Sequence, residues 1–532
     1  MPRLKRFTHS LASGYAALGA NMLFTLASVP LALAYLSQAE FGLWALTAQA
    51  AAYLALIDLG MSGVSRILID HKDEKAGGEY GGVIQTMLWV SVVQGAIILA
   101  ASVGLGLGLR EVLRIPSALE EEFLWLVLGQ GVLLGLGFVT RLGGYILVAH
   151  QRYDILSYAQ VISFGANFLV MWFGFHQGWG AYSLLAGGAA SWAVGAGLCL
   201  AGCGRLRLLP PRGAWGRPSW ARFRELFVYG RDIFLFFLGS QLVTGTQTLL
   251  VTRVLGLEAA AVWSICTRAF LLSLQLVYRL FDYSCAALAE MMVRQEWPRL
   301  QQRFKSLVVL STSVAVLAAV GFAAGNGAFV QVWARGAVGW TPLNDVLLAA
   351  WLVVCVVSHA HVGLVGQTKR FGWLSYLYLA EGAVFVAASL LVLPRGGVTA
   401  MLAVSLAASC LFTLPYGLRR TSHLFGLSLR EVAWGWSRPS LRLLLALGAV
   451  GAAAWAATRA LDPGLRLALL GGLLGVAGAG LLLRLGTEES LRAELLERAP
   501  AWARPWLPAL LGGGAPAPVP AMESAGKHGS QS

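Results

Sequence analysis

Apolar runs of twenty or more residues recur along the chain, separated by short polar turns. They predict helices near 11–36, 41–69, 82–108, 122–149, 154–175, 181–203, 228–252, 259–284, 306–333, 345–367, 371–393, 398–417, 441–460 and 465–484. About 20 apolar residues carry a helix across the hydrocarbon of a bilayer, so each run is long enough to span. The pattern predicts an all-α polytopic membrane protein with about 14 transmembrane helices. After them, 488–511 has the phase of an amphipathic surface helix broken by Pro500 and Pro505, and the Gly, Pro, Ala and Ser-rich end from Gly512 cannot bury a core.

Polar residues interrupt these runs in helical phase. Arg268, Gln275, Arg279 and Asp282 recur at steps of seven, four and three, which is one stripe of a helix. Asp58, Ser62 and Arg66 recur at steps of four, and Gln130 and Arg141 stand eleven apart, so each set shares a face. A charge at a helix centre costs about 2.5–3.5 kcal/mol on insertion scales and survives where it faces protein or a wet cavity. Asn21, Thr25 and Ser28 on the first span, Ser240, Thr244 and Gln247 on the seventh, and the polar faces of spans 2, 4, 8 and 10 are thus expected to surround one net-positive cavity. Pro30 removes a backbone donor from the first span and should bend it.

The chain also resembles itself at a shift of 218–219 residues. Asn21, Thr25 and Ser28 fall on Ser240, Thr244 and Gln247, the 36–44 stretch falls on 255–263, and Gln151 to Tyr158 falls on Lys369 to Tyr376. Arg141 falls on His359. Six spans per copy make the copies parallel, as in transporters built of two lobes about an axis along the membrane normal. The expected organisation is an N-lobe of spans 1–6 over 1–205, a cytoplasmic linker over 206–227, and a C-lobe of spans 7–12 over 228–420. An extra span pair covers 421–486 and a cytoplasmic tail 487–532. In the last span Gly471 and Gly475 form a GxxxG pair that would let a neighbouring helix approach closely.

Composition agrees with the pattern: 57% of residues are hydrophobic and 12% charged, against roughly a quarter charged in soluble proteins. The formal charge of +14 reads as the excess of Lys and Arg in cytoplasmic loops rather than as a nucleic-acid surface. Alternating sides along the spans puts about 27 basic residues inside and about 7 outside, which places both termini in the cytoplasm. The outside loops, the longest being 110–121 and 334–345, are too short for a catalytic domain. The six cysteines lie in apolar stretches without a CxxC pair, as small core residues do, and no nucleotide loop, HExxH or paired-carboxylate site occurs. The 70–74 run is metal-capable in composition but reads as a solvated charge run.

Each intramembrane candidate has two readings. Arg268 is the strongest contact for a substrate phosphate, against buried structural pairing. Arg66 and Arg279 lie near cytoplasmic ends, where snorkelling is the plainer account. Arg141 and His359 either line the cavity or serve packing, and His361 reads as a satisfied core histidine. Asp58 and Asp282 read first as intrahelical partners of Arg66 and Arg279; with Asp232 and Glu381 they are also the candidates for ion coupling.

Tyr35-Leu36-Ser37-Gln38-Ala39-Glu40-Phe41-Gly42-Leu43-Trp44-Ala45-Leu46, followed by Asp58-Leu59-Gly60-Met61-Ser62, closely resembles the first helical hairpin of polysaccharide exporters of the multidrug/oligosaccharidyl-lipid/polysaccharide (MOP) flippase superfamily. Gln367-Thr368-Lys369-Arg370 also looks familiar from that family. The resemblance covers roughly 10–420 in organisation and is dense over about 35–66. It implies alternating-access translocation of an undecaprenyl-pyrophosphate-linked oligosaccharide across the bacterial inner membrane, for O-antigen or exopolysaccharide synthesis. It implies no enzyme activity, cofactor, metal or nucleic acid, and a drive from an H+ or Na+ gradient or from the membrane potential. The partners implied are the lipid-linked substrate, membrane lipids and other polysaccharide assembly proteins. On that reading Arg268, with Arg66, Arg279 and Arg141, would hold phosphate, while Asn21, Gln247 and Gln275 face sugars. An ion-coupled exporter of cationic drugs, a membrane polymerase or ligase, and a non-transporting scaffold are the rivals.

Overall fold

The computed structural model describes residues 3–58, 68, 71, 78–113, 115–334, 339–368, 373–488 and 492, and every regular element among them is helical. In chain order these are α1 (Arg3–Tyr35), α2 (Gln38–Leu54) with a tight turn Ala55–Asp58, α3 (Glu79–Val112), α4 (Ser117–Thr140), α5 (Leu142–Ala149), α6 (Tyr153–His176) and α7 (Tyr182–Arg205). The second half holds α8 (Trp220–Thr244), α9 (Thr246–Leu255), α10 (Leu257–Cys266), α11 (Arg268–Asp282), α12 (Cys285–Val293), α13 (Trp297–Trp333), α14 (Pro342–Gln367), α15 (Leu374–Leu411) and α16 (Thr413–Phe425). A π-turn Glu431–Gly435, α17 (Arg438–Thr458) and α18 (Pro463–Leu485) complete it.

Among the described residues, twelve helical stretches are long and apolar enough to cross a membrane, and α10 with α11–α12 makes a thirteenth across a 41° bend. Fourteen runs were expected, and the difference lies in the stretch Leu374–Phe425, whose 52 residues form one unit by helical continuity. At 1.5 Å per residue it would reach about 78 Å if straight, more than twice the hydrocarbon thickness. It folds back instead: Gly397 adopts φ 59°, and Ser409 donates to the Glu381 carboxylate at 2.9 Å. The bend expected at Pro30 leaves α1 helical from end to end. Proline has no N–H for the carbonyl four residues back, and that carbonyl, Leu26 O, accepts the Trp333 indole at 2.7 Å.

The ends of the two halves that the charge pattern expects outside meet in one apolar cluster, the outer seal. Val29, Leu36, Phe41, Leu43 and Leu46 of the first hairpin pack with Leu257, Ala261 and Ile265 of α10 and with Val330 and Trp333 of α13. Gly42 makes this approach possible, because a Cβ there would stand 2.1 Å from Leu257 O. The last two helices pack on α13 around Val316, Leu443, Leu447, Leu470 and Leu474. The Gly471–Gly475 pair is not the contact: nothing lies within 4 Å of a Cβ built on either. Gly478 and Gly451 face α13 instead, where a Cβ would stand 2.3 Å from Leu317 and 2.6 Å from Val320, because the packed face of α18 is set by Leu470, Leu474 and Gly478.

Candidate functional site

Beneath the outer seal the two halves enclose a cavity of about 380 Å³. From the first half it is lined by Thr25 and Ser28 of α1, Trp44 and Gln49 of α2, Gln130 of α4 and Asn167 of α6. From the second come Thr244, Gln247 and Thr248 at the α8–α9 junction, Trp263 and Ser264 of α10, and Thr267 and Arg268 where α10 gives way to α11. Positions related by the internal repeat meet here: Thr25 with Thr244, Ser28 with Gln247, Trp44 with Trp263, and Gln49 with Arg268. The site is a pseudo-symmetric ring of amides, hydroxyls and two indoles in which one position carries a guanidinium.

Arg268 is the only charged side chain among the described residues that line the cavity. Its Nε is buried without a hydrogen-bond partner, and no carboxylate among the described residues pairs with it. The structural-pairing reading of this arginine therefore finds no partner. An unpaired guanidinium at membrane depth is costly, and its fork of donors suits phosphate or carboxylate oxygens. The break beside it is built by side chains: Thr267 Oγ1 donates to Trp263 O at 2.7 Å, and Asn326 Nδ2 donates both to Cys266 O at 3.1 Å and to Asp345 at 2.7 Å.

The other candidates lie elsewhere. Asn21 sits one turn along α1 from Thr25 and does not line the cavity. Gln275 and Arg279 continue the Arg268 stripe along α11 and are exposed. The single cavity expected from spans 1, 2, 4, 7, 8 and 10 is instead completed by α6 and α7, without α14. Arg141 lines a second groove of about 700 Å³ between α4 and α7, which shares Asn167 and Gly188 with the first. Arg66 lies outside the described residues, as do the Asp232 side chain, most of the 70–74 run and nearly all of 488–511.

The expected Asp282–Arg279 pair is replaced by a tertiary one, and Asp58, whose expected partner Arg66 lies outside the described residues, also has a tertiary partner. Asp58 pairs with Arg141, which also donates to Gln94 at 3.0 Å, and Gln94 in turn donates to the Ile57 and Asp58 carbonyls. Asp282 pairs with His359 of α14 at 2.9 Å, while Arg279 stays exposed. Helical phase sees neighbours three or four residues apart on one helix and cannot see a carboxylate that turns toward another. Glu381 is 2% exposed. One of its oxygens accepts from Ser409, while Oε2 has no partner. His361 is 1% exposed, with its Nδ1 2.8 Å from Thr421 Oγ1, a satisfied core histidine.

Gln49, Asn167 and the Asn326–Asp345–Trp340 network escaped the sequence reading. Gln49 had a signal, since it stands 219 residues before Arg268. Single amides inside apolar runs have no phase partner to mark them.

The profile of a family described as polysaccharide biosynthesis protein matches residues 33–334, more than half of the chain. Among curated proteins no sequence matches. Three solved structures share the fold at low identity. A multidrug resistance MATE family transporter of the MOP superfamily, in an inward-facing conformation, superposes with a TM-score of 0.62 at 14% identity, covering 76% of this chain and 96% of its own. The lipid II flippase MurJ, in an inward closed conformation, gives 0.60 at 12%, covering 90% and 99%. A MOP superfamily transporter from Pyrococcus furiosus, described as having a binding pocket of reverse polarity, gives 0.56 at 15%, covering 79% and 96%.

Proposed function

The chain belongs to the polysaccharide biosynthesis protein family and has the fold of MOP superfamily transporters, and from that premise we propose that it flips a lipid-linked oligosaccharide carrying a pyrophosphate across the inner membrane. The observation that carries this reading is the unpaired guanidinium of Arg268 in a ring of neutral polar groups. A diphosphate cannot enter hydrocarbon without losing its hydration, and a fixed guanidinium replaces part of it. Gln49, Gln130, Asn167 and Gln247 supply amides for sugar hydroxyls, and Trp44 and Trp263 supply apolar faces for sugar rings. The groove between α4 and α7 gives the isoprenoid chain an apolar path beside the cavity.

A cationic substrate is disfavoured, because no carboxylate lies among the described lining residues. Coupling to H+ or Na+ would use a carboxylate away from the substrate, and the buried Glu381 with its free oxygen is one candidate. Binding to the full chain in nanodiscs tests the substrate class. Undecaprenyl pyrophosphate is expected to bind and tetraphenylphosphonium to fail; the opposite result overturns the proposal in favour of a cation exporter.

A further inference from the structure

Each half sets an acid at the end of its second span against a base of its fourth, and the two bases differ in chemistry. In the first half Asp58 meets Arg141, braced by Gln94, and arginine stays charged in proteins. In the second half Asp282 meets His359, which stands 218 residues after Arg141. Histidine changes charge between about pH 5 and pH 8. The repeat thus places a permanently charged base in one copy and a titratable one in the other, and each finds an acid, although Asp58 and Asp282, 224 residues apart, are not themselves repeat mates.

The histidine is held in place. Its ring stacks on Tyr278 with centroids 3.9 Å apart and planes at 9°, and the Phe281 ring meets it edge-on at 5.6 Å. Of titratable and charged groups, Tyr278 and Asp282 of α11 touch it directly; around those two stand Arg279 of α11, Cys285 of α12, Cys355 of α14 itself and Tyr378 of α15, with Glu381 of α15 beside Cys355. From α13 and α16, Phe304 and Thr421 approach His361 rather than His359. His359 and Asp282 are 31% and 39% exposed, so neither is sealed within the packed helices.

The pair also has a mechanical position. Helix α11 begins at Arg268 and ends at Asp282, about 21 Å apart at 1.5 Å per residue. One end adjoins the 41° break where Asn326 holds Cys266 O; the other is tied to α14 by Asp282. A helix bent at one end and tied at the other moves as a lever, and the substrate anchor sits at the bend.

We propose that His359 and Asp282 form a proton-operated latch on the helix that carries Arg268. With His359 protonated the pair is ionic and holds the cytoplasmic end of α11 against α14; loss of the proton frees that end and re-aims Arg268. The last step rests on the flippase reading, and the latch itself does not.

Hydrogen–deuterium exchange of the full chain in nanodiscs, corrected for the intrinsic pH dependence of exchange, reads the latch without substrate. Residues 275–284 of the wild type are expected to lose about five-fold in protection between about pH 5.5 and about pH 8. His359→Arg, which installs the first half's base, keeps protection at both values, and Asp282→Asn lacks it at both. Arg141→His transfers the pH response to the end of α2. An equal response in wild type and His359→Arg, or none in wild type, overturns the latch. Undecaprenyl pyrophosphate binding to the same samples separates the two readings. No binding at either pH with the exchange response intact leaves the latch and removes the flippase reading. Binding whose pH dependence survives His359→Arg overturns the link to Arg268.

Discussion

Two arginines stand at membrane depth in very different states. Arg141 is paired with Asp58, donates to Gln94 and lies over the Phe138 ring at 4.0 Å. The Nε atoms of both are buried without a partner, but Arg268 has no ion pair or hydrogen bond at all among the described residues, so its guanidinium is open to a group that enters the cavity. Charge-assisted hydrogen bonds contribute about 1.5–3 kcal/mol, so Arg268→Ala should weaken pyrophosphate binding about 10- to 100-fold while the folded protein elutes unchanged from gel filtration. Arg268→Lys should recover part of the loss, because an ammonium keeps the charge without the fork. At Arg141 the effect falls on stability. Asp58→Ala leaves a half-buried cation alone and should cost about 1–3 kcal/mol in thermal unfolding; the double variant with Arg141→Gln should recover much of it. Sequence alone marked Arg268, since a charge in an apolar run is conspicuous. It missed the partners of Asp58 and Asp282 because both reach another helix, and Arg141 and His359 are 83 and 77 residues away.

At the scale of elements, the stretch that carried the family resemblance resolves into separate physical tasks. Ser37 accepts from Glu40 N while Glu40 accepts from Ser37 N, a capping box that starts α2. Leu36 enters the outer seal, Gly42 admits Leu257 O, and Trp44 lines the cavity. Gly42→Ala should pry α2 from α10, and peptide mapping should then show faster maleimide labelling of the buried Cys266 than in wild type; unchanged labelling would count against this account of the seal. Helix positions were legible because apolar length is written locally. The α10–α11 break was not, since Cys266-Thr267-Arg268 holds neither proline nor glycine and the donor that stabilises it, Asn326, comes from another helix. The turn at Gly397 was legible as a gap between two runs.

For the whole molecule, the outer closure is a broad apolar cluster with the Trp333–Leu26 hydrogen bond. Toward the opposite end the halves are joined by Tyr53, whose hydroxyl contacts Thr246 and donates to Gln241 O, by the Arg222–Glu79 ion pair, and by Ser219 N, which donates to Thr86 Oγ1 at 3.0 Å. One end is thus closed by apolar packing and the other by a few polar contacts. Tyr53→Phe removes one of these polar ties, worth about 0.5–1.5 kcal/mol. Electron–electron resonance distances between labels at the Ala149 end of α5 and the Gln367 end of α14 should shift toward the longer population. The central claim is that Arg268 anchors a pyrophosphate-linked sugar during translocation, and the direct measurement is the transfer of labelled undecaprenyl-pyrophosphate oligosaccharide between leaflets of proteoliposomes. Transfer by wild type that disappears in folded Arg268→Ala is the expected result. Equal transfer by both proteins, or none by either, would contradict it.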